Sequence, residues 1–236
     1  MGYRLLDSFE SIFAGKAYRH RASTQGDEVA AQLFEDLLAL GLSTRFNSLV
    51  RAGQVVVNRQ NQTRGKKARR GDGTLGDLVP GEAPTSEVGF TVARGPVATV
   101  KIGVEVKILA KAMIKQIDRV ENDLHHQAQQ FRRRGTNAIC VAVVGINGAD
   151  VTTSFEGVRR FKTNGKDRPH PAQEAAQAER RLRAAVAPAY DEFLILPFRA
   201  TNARPLAFDW TNLAATGRDY GAALARISQE FGARFP

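Results

Sequence analysis

Cysteine is nearly absent from this chain: Cys140 is the single one in 236 residues. One thiol excludes an internal disulfide framework and a thiolate metal cluster. Its setting, Ala138-Ile139-Cys140-Val141-Ala142-Val143-Val144, is apolar and reads as a buried core thiol rather than a nucleophile. Long apolar runs are missing too. None approaches membrane-spanning length and the N-terminus shows no apolar signal segment, so a cytoplasmic protein without membrane contact is expected. Gly71-Asp72-Gly73 and Gly145-Ile146-Asn147-Gly148 lack the spacing of a nucleotide-binding fingerprint and read as turns. No internal repeat and no helicase or nucleotide-hydrolysing motif is found. Acidic residues are the last shortage. Against 34 Lys and Arg stand 24 Asp and Glu, a formal net charge of +10. That excess points to a polyanionic partner, most simply nucleic acid; a basic surface without a partner is the plain alternative.

The hydrophobic fraction, 43%, is ordinary for a chain with a real core. Asp27 to Leu40 predicts an amphipathic helix, with Val29, Ala30, Leu33, Phe34, Leu37 and Leu38 on one face. Asp27 is suited to cap it and Gly41 to end it. An earlier helix is expected around Tyr3 to Phe13. Gln54 to Asn58 reads as a short strand, Leu75 to Val79 as another, and Val88 to Val92 as a strand paired with Val97 to Ile108. A helix over Ala112 to Arg134, ended by Gly135, precedes the β-branched run Ala138 to Ile146, a strand covered on both faces. Pro171 to Ala187 predicts a helix and Glu192 to Arg199 a last strand, with Pro197 suggesting an edge. Tyr220 to Phe231 closes as a helix. The order predicts an α/β domain, a mixed central sheet flanked by helices.

The best-alternating strand is Thr99 to Ile108. Val100, Ile102, Val104, Val106 and Ile108 fall on one face, and Lys101, Gly103, Glu105 and Lys107 on the other. Glu105 and Lys107 therefore project together, an acid and an amine suited to hold a metal ion and steady a phosphate. Within Leu75-Gly76-Asp77-Leu78-Val79, Asp77 is an acid in a short apolar strand, where an unpaired carboxylate is costly. A divalent cation shared by Asp77 and Glu105 supplies a reason, with the Val106 carbonyl as a third oxygen ligand. The plain alternative is a solvent-facing Glu–Lys pair, which contributes little.

Asp77 followed by Glu105-Val106-Lys107, the chain's single acid-x-Lys triplet, resembles the PD-(D/E)XK nuclease superfamily. The element order from Asp27 to Arg199 is similar to that family's core. Gly76 stands where the motif often has proline. The resemblance implies a restriction-endonuclease-like fold over one nuclease domain, residues 1–236. Its core would span about 27–199, with helical extensions at 1–26 and 200–236. It implies that Asp77 and Glu105 bind Mg²⁺, with Mn²⁺ as a substitute, and that Lys107 orients or activates the attacking water. Such families often add an acid from the first core helix. Glu28 and Glu35 share a face opposite the apolar stripe, where solvent exposure is the simpler reading for both, and Glu28, in the first turns, is the better candidate.

The segment Arg59 to Gly73 has almost nothing apolar and is expected to be a mobile loop closing on DNA. Arg64, Lys66, Lys67, Arg69 and Arg70 there, with Lys101, Lys111 and Lys115 flanking the site, are the expected nucleic-acid contacts. Arg132-Arg133-Arg134 and Arg159-Arg160-Phe161-Lys162 extend the basic footprint. His125 and His126 are adjacent and diverge by about 100° on a helix, so they do not chelate one ion. The expectation is a metal-dependent DNA endonuclease cutting double-stranded DNA as a homodimer, first of all a type II restriction enzyme. A repair or phage-defence nuclease of the same superfamily, an enzyme acting on RNA and a non-catalytic nucleic-acid-binding protein are the alternatives.

Overall fold

The computed structural model describes residues 2–19, 24–58, 62–63, 66–67, 71–134, 137–157, 159–162 and 171–236. Three helices come first: α1 (Arg4–Ser11), α2 (Thr24–Leu40) and α3 (Thr44–Arg51). Next are β1 (Val55–Asn58), a short pair β2 (Gln62–Thr63) and β3 (Lys66–Lys67), and β4 (Gly73–Leu78). Then follow β5 (Arg94–Gly95), the long β6 (Val97–Leu109), α4 (Met113–Arg134) and β7 (Ile139–Asn147). A second short pair, β8 (Val151–Thr153) and β9 (Arg160–Lys162), leads to α5 (Pro171–Ala185) and a 3₁₀ turn at Ala187–Ala189. β10 (Glu192–Ala200), β11 (Phe208–Trp210) and α6 (Leu213–Arg234) complete the chain.

Seven strands form one mixed sheet, ordered β11-β10-β7-β6-β4-β1-β5. β6, β7 and β10 run parallel, with α4 and α5 as crossovers, whereas β4 is antiparallel to both β1 and β6. All nine residues of β7 are buried, as a strand covered on both faces requires. Helices α1, α2, α3 and α6 cover one face, packing Phe9, Phe34, Leu224 and Phe231 against Ile102, Val104 and Val141. Helices α4 and α5 cover the other, where Ile117, Leu124 and Leu182 meet Cys140, Ala142 and Val144. The N- and C-terminal helices thus share the central core rather than extending from it.

Several expectations change. α2 starts at Thr24, three residues ahead of Asp27, so Asp27 lies in its first turn and not at its cap. Gly41 does end it, at φ +70°, with its N–H on the Leu37 carbonyl. Val88–Val92 forms turns instead of a strand, and β5 pairs parallel to β1 in its place. β10 is not an edge, because β11 covers it. Pro197 is tolerated near the end of that pairing, where its carbonyl accepts from Thr211 N–H and no partner needs the missing N–H. Within Arg59 to Gly73, the β2–β3 pair supplies local strand structure where only loop was expected.

Two register shifts in the β4–β6 ladder fix the site. Leu75 pairs with Ile102 but Gly76 with Val100, so Lys101 is an extra residue on β6; a second shift skips Ala98. Such a bulge reverses which face the following side chains take. Ile102, Val104 and Val106 therefore join the α2 side of the core, while Val100 packs on the opposite side with Val56 and Val97. The uniform alternation expected from Val100 to Ile108 stops at Lys101.

Candidate active site

Glu105 and Lys107 project from β6 toward the α4 side, the face on which Phe131 fills the space over Gly103. Glu105 is 5% exposed. Its Oε1 accepts an ion pair from Lys107 Nζ at 2.7 Å. Its Oε2 is buried with no hydrogen-bond partner among the described residues. Leaving a buried carboxylate oxygen unsatisfied costs at least about 1–3 kcal/mol, so the arrangement is built for something more than packing.

The acid beside it is Asp72. The β4–β6 ladder begins at Gly73 opposite Val104, and Asp72 lies one residue before that strand. Beyond the ladder's end, Asp72 Oδ2 accepts the Val106 N–H at 2.8 Å, taking the place a strand partner would hold. In an extended strand the N–H and C=O of one residue project to the same edge. The Val106 carbonyl therefore opens toward the same gap. Helix α2 closes on Asp72 from the other side, so near that a Cβ on Gly26 would lie 2.7 Å from Asp72 Cγ. Gly71 is equally constrained, since a Cβ there would fall 2.3 Å from the Phe131 ring.

The electrostatics follow from this proximity. Burial, and after it the Asp72 charge, push the Glu105 carboxyl up to about 7; Lys107 and the Asp72 backbone N–H pull the other way. For Lys107, burial opposes the charged form, but Glu105, Asp72 and Asp123 outweigh it and hold the ammonium above its ordinary value. Lys107 is a cation among carboxylates at a cleft of about 520 Å³, whose wall includes Asp72, Val106, Lys107, Lys111, Arg119 and Asp123, with Glu105 buried behind that wall.

Asp77 takes no part. It pairs with Thr99, six residues from Glu105 along β6, a separation of about 20 Å. Leu75 and Asp77 alternate onto the α2 face, opposite to Glu105. Asp77 Oδ1 is ion-paired to Lys101 at 3.3 Å, and Lys101 Nζ lies 4.4 Å from the Phe235 ring centroid. The bulge turns Lys101 away from the cleft, and Asp77 is kept from it by its distance along the sheet and by β4's own alternation, which removes Asp77 from the expected metal site and Lys101 from the expected phosphate contacts.

Of the helical acids, Glu28 is exposed and lines a neighbouring cleft that also touches Asp72. Glu35 is not solvent-facing as expected. It is 2% exposed and accepts the N–H groups of Thr91 and Val92, with Arg4 at 3.3 Å, so it ties a loop to α2. Lys111 lies in the cleft wall, 4.4 Å from the Phe161 ring centroid, while Lys115 is exposed on α4 outside that wall. Arg64, Arg69 and Arg70 lie outside the described residues, as do the side chains of Lys66 and Lys67 in β3.

The described residues hold no group of three or more His, Cys, Asp and Glu side chains arranged so that they could together hold a metal ion. What they offer a divalent cation is the carboxylates of Asp72 and Glu105, the latter with its orphaned Oε2, and the Val106 carbonyl, all hard oxygen donors suited to Mg²⁺ or Mn²⁺. No described helix is long and apolar enough to cross a membrane. Compared with protein-family models, curated proteins and solved structures, the chain finds no match.

Proposed function

We propose that the chain is a metal-dependent endonuclease that hydrolyses DNA phosphodiester bonds, with a restriction-endonuclease-like core and Asp72, Glu105 and Lys107 as its working residues. The observation that carries the reading is the Asp72 carboxylate seated on the Val106 N–H, in the middle of the Glu105-Val106-Lys107 triplet. The motif expected around Asp77 is supported instead by an acid five residues earlier. The net charge of +10 supports a polyanionic substrate.

Asp72, Glu105 and the Val106 carbonyl would hold Mg²⁺, with Mn²⁺ as a substitute. When bound, such an ion lowers the pKa of water and neutralises charge developing on the phosphate. Lys107, held at Glu105, donates to the attacking water or to a phosphate oxygen and so fixes the line of attack. Lys111 and Arg119 in the same wall bind the flanking phosphates. One such centre per chain cuts one strand, so cleavage of a duplex calls for two copies, most simply a homodimer. Among biological roles we favour type II restriction, with DNA repair or phage defence as the alternative.

The test is plasmid cleavage in Mg²⁺. Glu105→Ala and Lys107→Ala should each lose at least about 10²-fold in rate, the scale of a lost charge-stabilising or proton-handling group, while retaining DNA binding. Undiminished cleavage by both variants would end the proposal, and binding without strand breaks by the wild type would favour a non-catalytic DNA-binding protein.

A further inference from the structure

A second cleft, of about 440 Å³, adjoins the first, and Asp72 belongs to the walls of both. The two differ in chemistry. The first presents Lys107, Lys111 and Arg119, groups suited to phosphate oxygens. The second presents Asp27 and Glu28 from the first turn of α2 together with Asp72. Its cation among the described residues, Arg94, is ion-paired to Glu87 at 2.7 Å. A phosphodiester is repelled from such a lining.

What the second cleft offers besides its acids is Thr24 and the ring of Phe90, while Asn58 and Thr74 border it from strand ends with side chains that alternate to the opposite sheet face. The Arg94 guanidinium lies 4.2 Å from that ring's centroid and steadies it from one side. Hydroxyl and carboxylate acceptors around an aromatic ring suit a flat, uncharged heterocycle bearing amino donors. Nucleobases have that chemistry. We infer that the second cleft receives the base of a nucleotide next to the scissile phosphate, swung out of the stack. The inference rests on the nuclease reading, because it needs the phosphate in the first cleft and its base across Asp72 in the second.

A stacked, paired base cannot enter such a recess. Unstacking costs a few kcal/mol, and least where the base is mismatched or already single-stranded. The substrate class that follows is DNA with an unpaired or readily extruded base at the cut, and on this inference the repair or phage-defence role takes precedence over type II restriction.

The experiment uses one labelled oligonucleotide sequence presented single-stranded, as a mismatched duplex and as a matched duplex, in Mg²⁺. Wild type should cut the first two about tenfold or more faster than the third. Phe90→Leu keeps apolar bulk but removes the stacking face and should lose about tenfold on the single strand, the worth of one base–aromatic stack. Thr24→Val, at an exposed position of the cleft wall, keeps shape and removes a hydroxyl, and should weaken cleavage in the same direction, with melting temperatures unchanged. Equal rates on all three substrates, or wild-type rates for both variants, would overturn the base cleft; the nuclease reading would stand if Glu105→Ala still abolished cutting. No strand breaks on any substrate would overturn both.

Discussion

Asp72 and Asp77 stand five positions apart, and each carboxylate meets a different lysine environment. Asp77 is paired with Lys101 at the sheet's far end, while the Asp72 charge acts on Glu105 and Lys107. Glu105 and Lys107 were legible in the sequence because period-two spacing alone places them together. Asp72 was not, because it precedes its strand, where alternation says nothing, and Gly71-Asp72-Gly73 looks like an ordinary turn. The signal available was a glycine-flanked acid directly before the strand that pairs with the triplet's own strand. Glu105 carries a consequence for stability. Its carboxyl is raised to about 7 by burial and by Asp72, so the proton binds more tightly in the folded chain than in the unfolded one. That contribution is complete below the unfolded value and is lost as pH rises through about 7. In the absence of divalent cations, urea unfolding should show lower stability near pH 8 than near pH 5, by up to about 3 kcal/mol. Glu105→Gln should flatten that difference, and an equal slope in both proteins would show that the carboxyl is not held in this way.

At the scale of elements, the main helices and strands follow from apolar spacing, and α2, α4 and β7 lie within a few residues of their expected bounds. The two bulges in β6 do not, since an extra residue changes neither composition nor hydrophobicity. They depend on how β4 meets β6, with Gly76 so close to Thr99 that a Cβ there would lie 2.0 Å from its carbonyl oxygen. That long-range fit decides which face Lys101 takes and which residue of β6 Asp77 meets. The first turn of α2 has a comparable role at the other end of β4, where Gly26 leaves room for the Asp72 carboxylate. Gly26→Ala improves intrinsic helix propensity by up to about 1 kcal/mol, so it should cost little stability. It should nevertheless push Asp72 off the Val106 N–H and slow cleavage by about tenfold or more, as small misplacements at a reacting centre do. Wild-type rates together with wild-type melting would show that Asp72 has slack at that position.

For the whole molecule, the net charge of +10 and the sheet covered by helices on both faces are readable from composition and element order. Composition cannot say which end of a strand an acid occupies, and that is where the chemistry is decided. On the proposed reading, charge supplies sequence-independent binding to DNA, and single neutral substitutions at the site should leave most of it in place. Strand cleavage in Mg²⁺ by Asp72→Asn and Asp77→Asn, compared at equal DNA occupancy, therefore separates catalysis from attraction. The account predicts that Asp72→Asn loses at least about 10²-fold while Asp77→Asn cuts at nearly the wild-type rate. An inactive Asp77→Asn beside an active Asp72→Asn would contradict it.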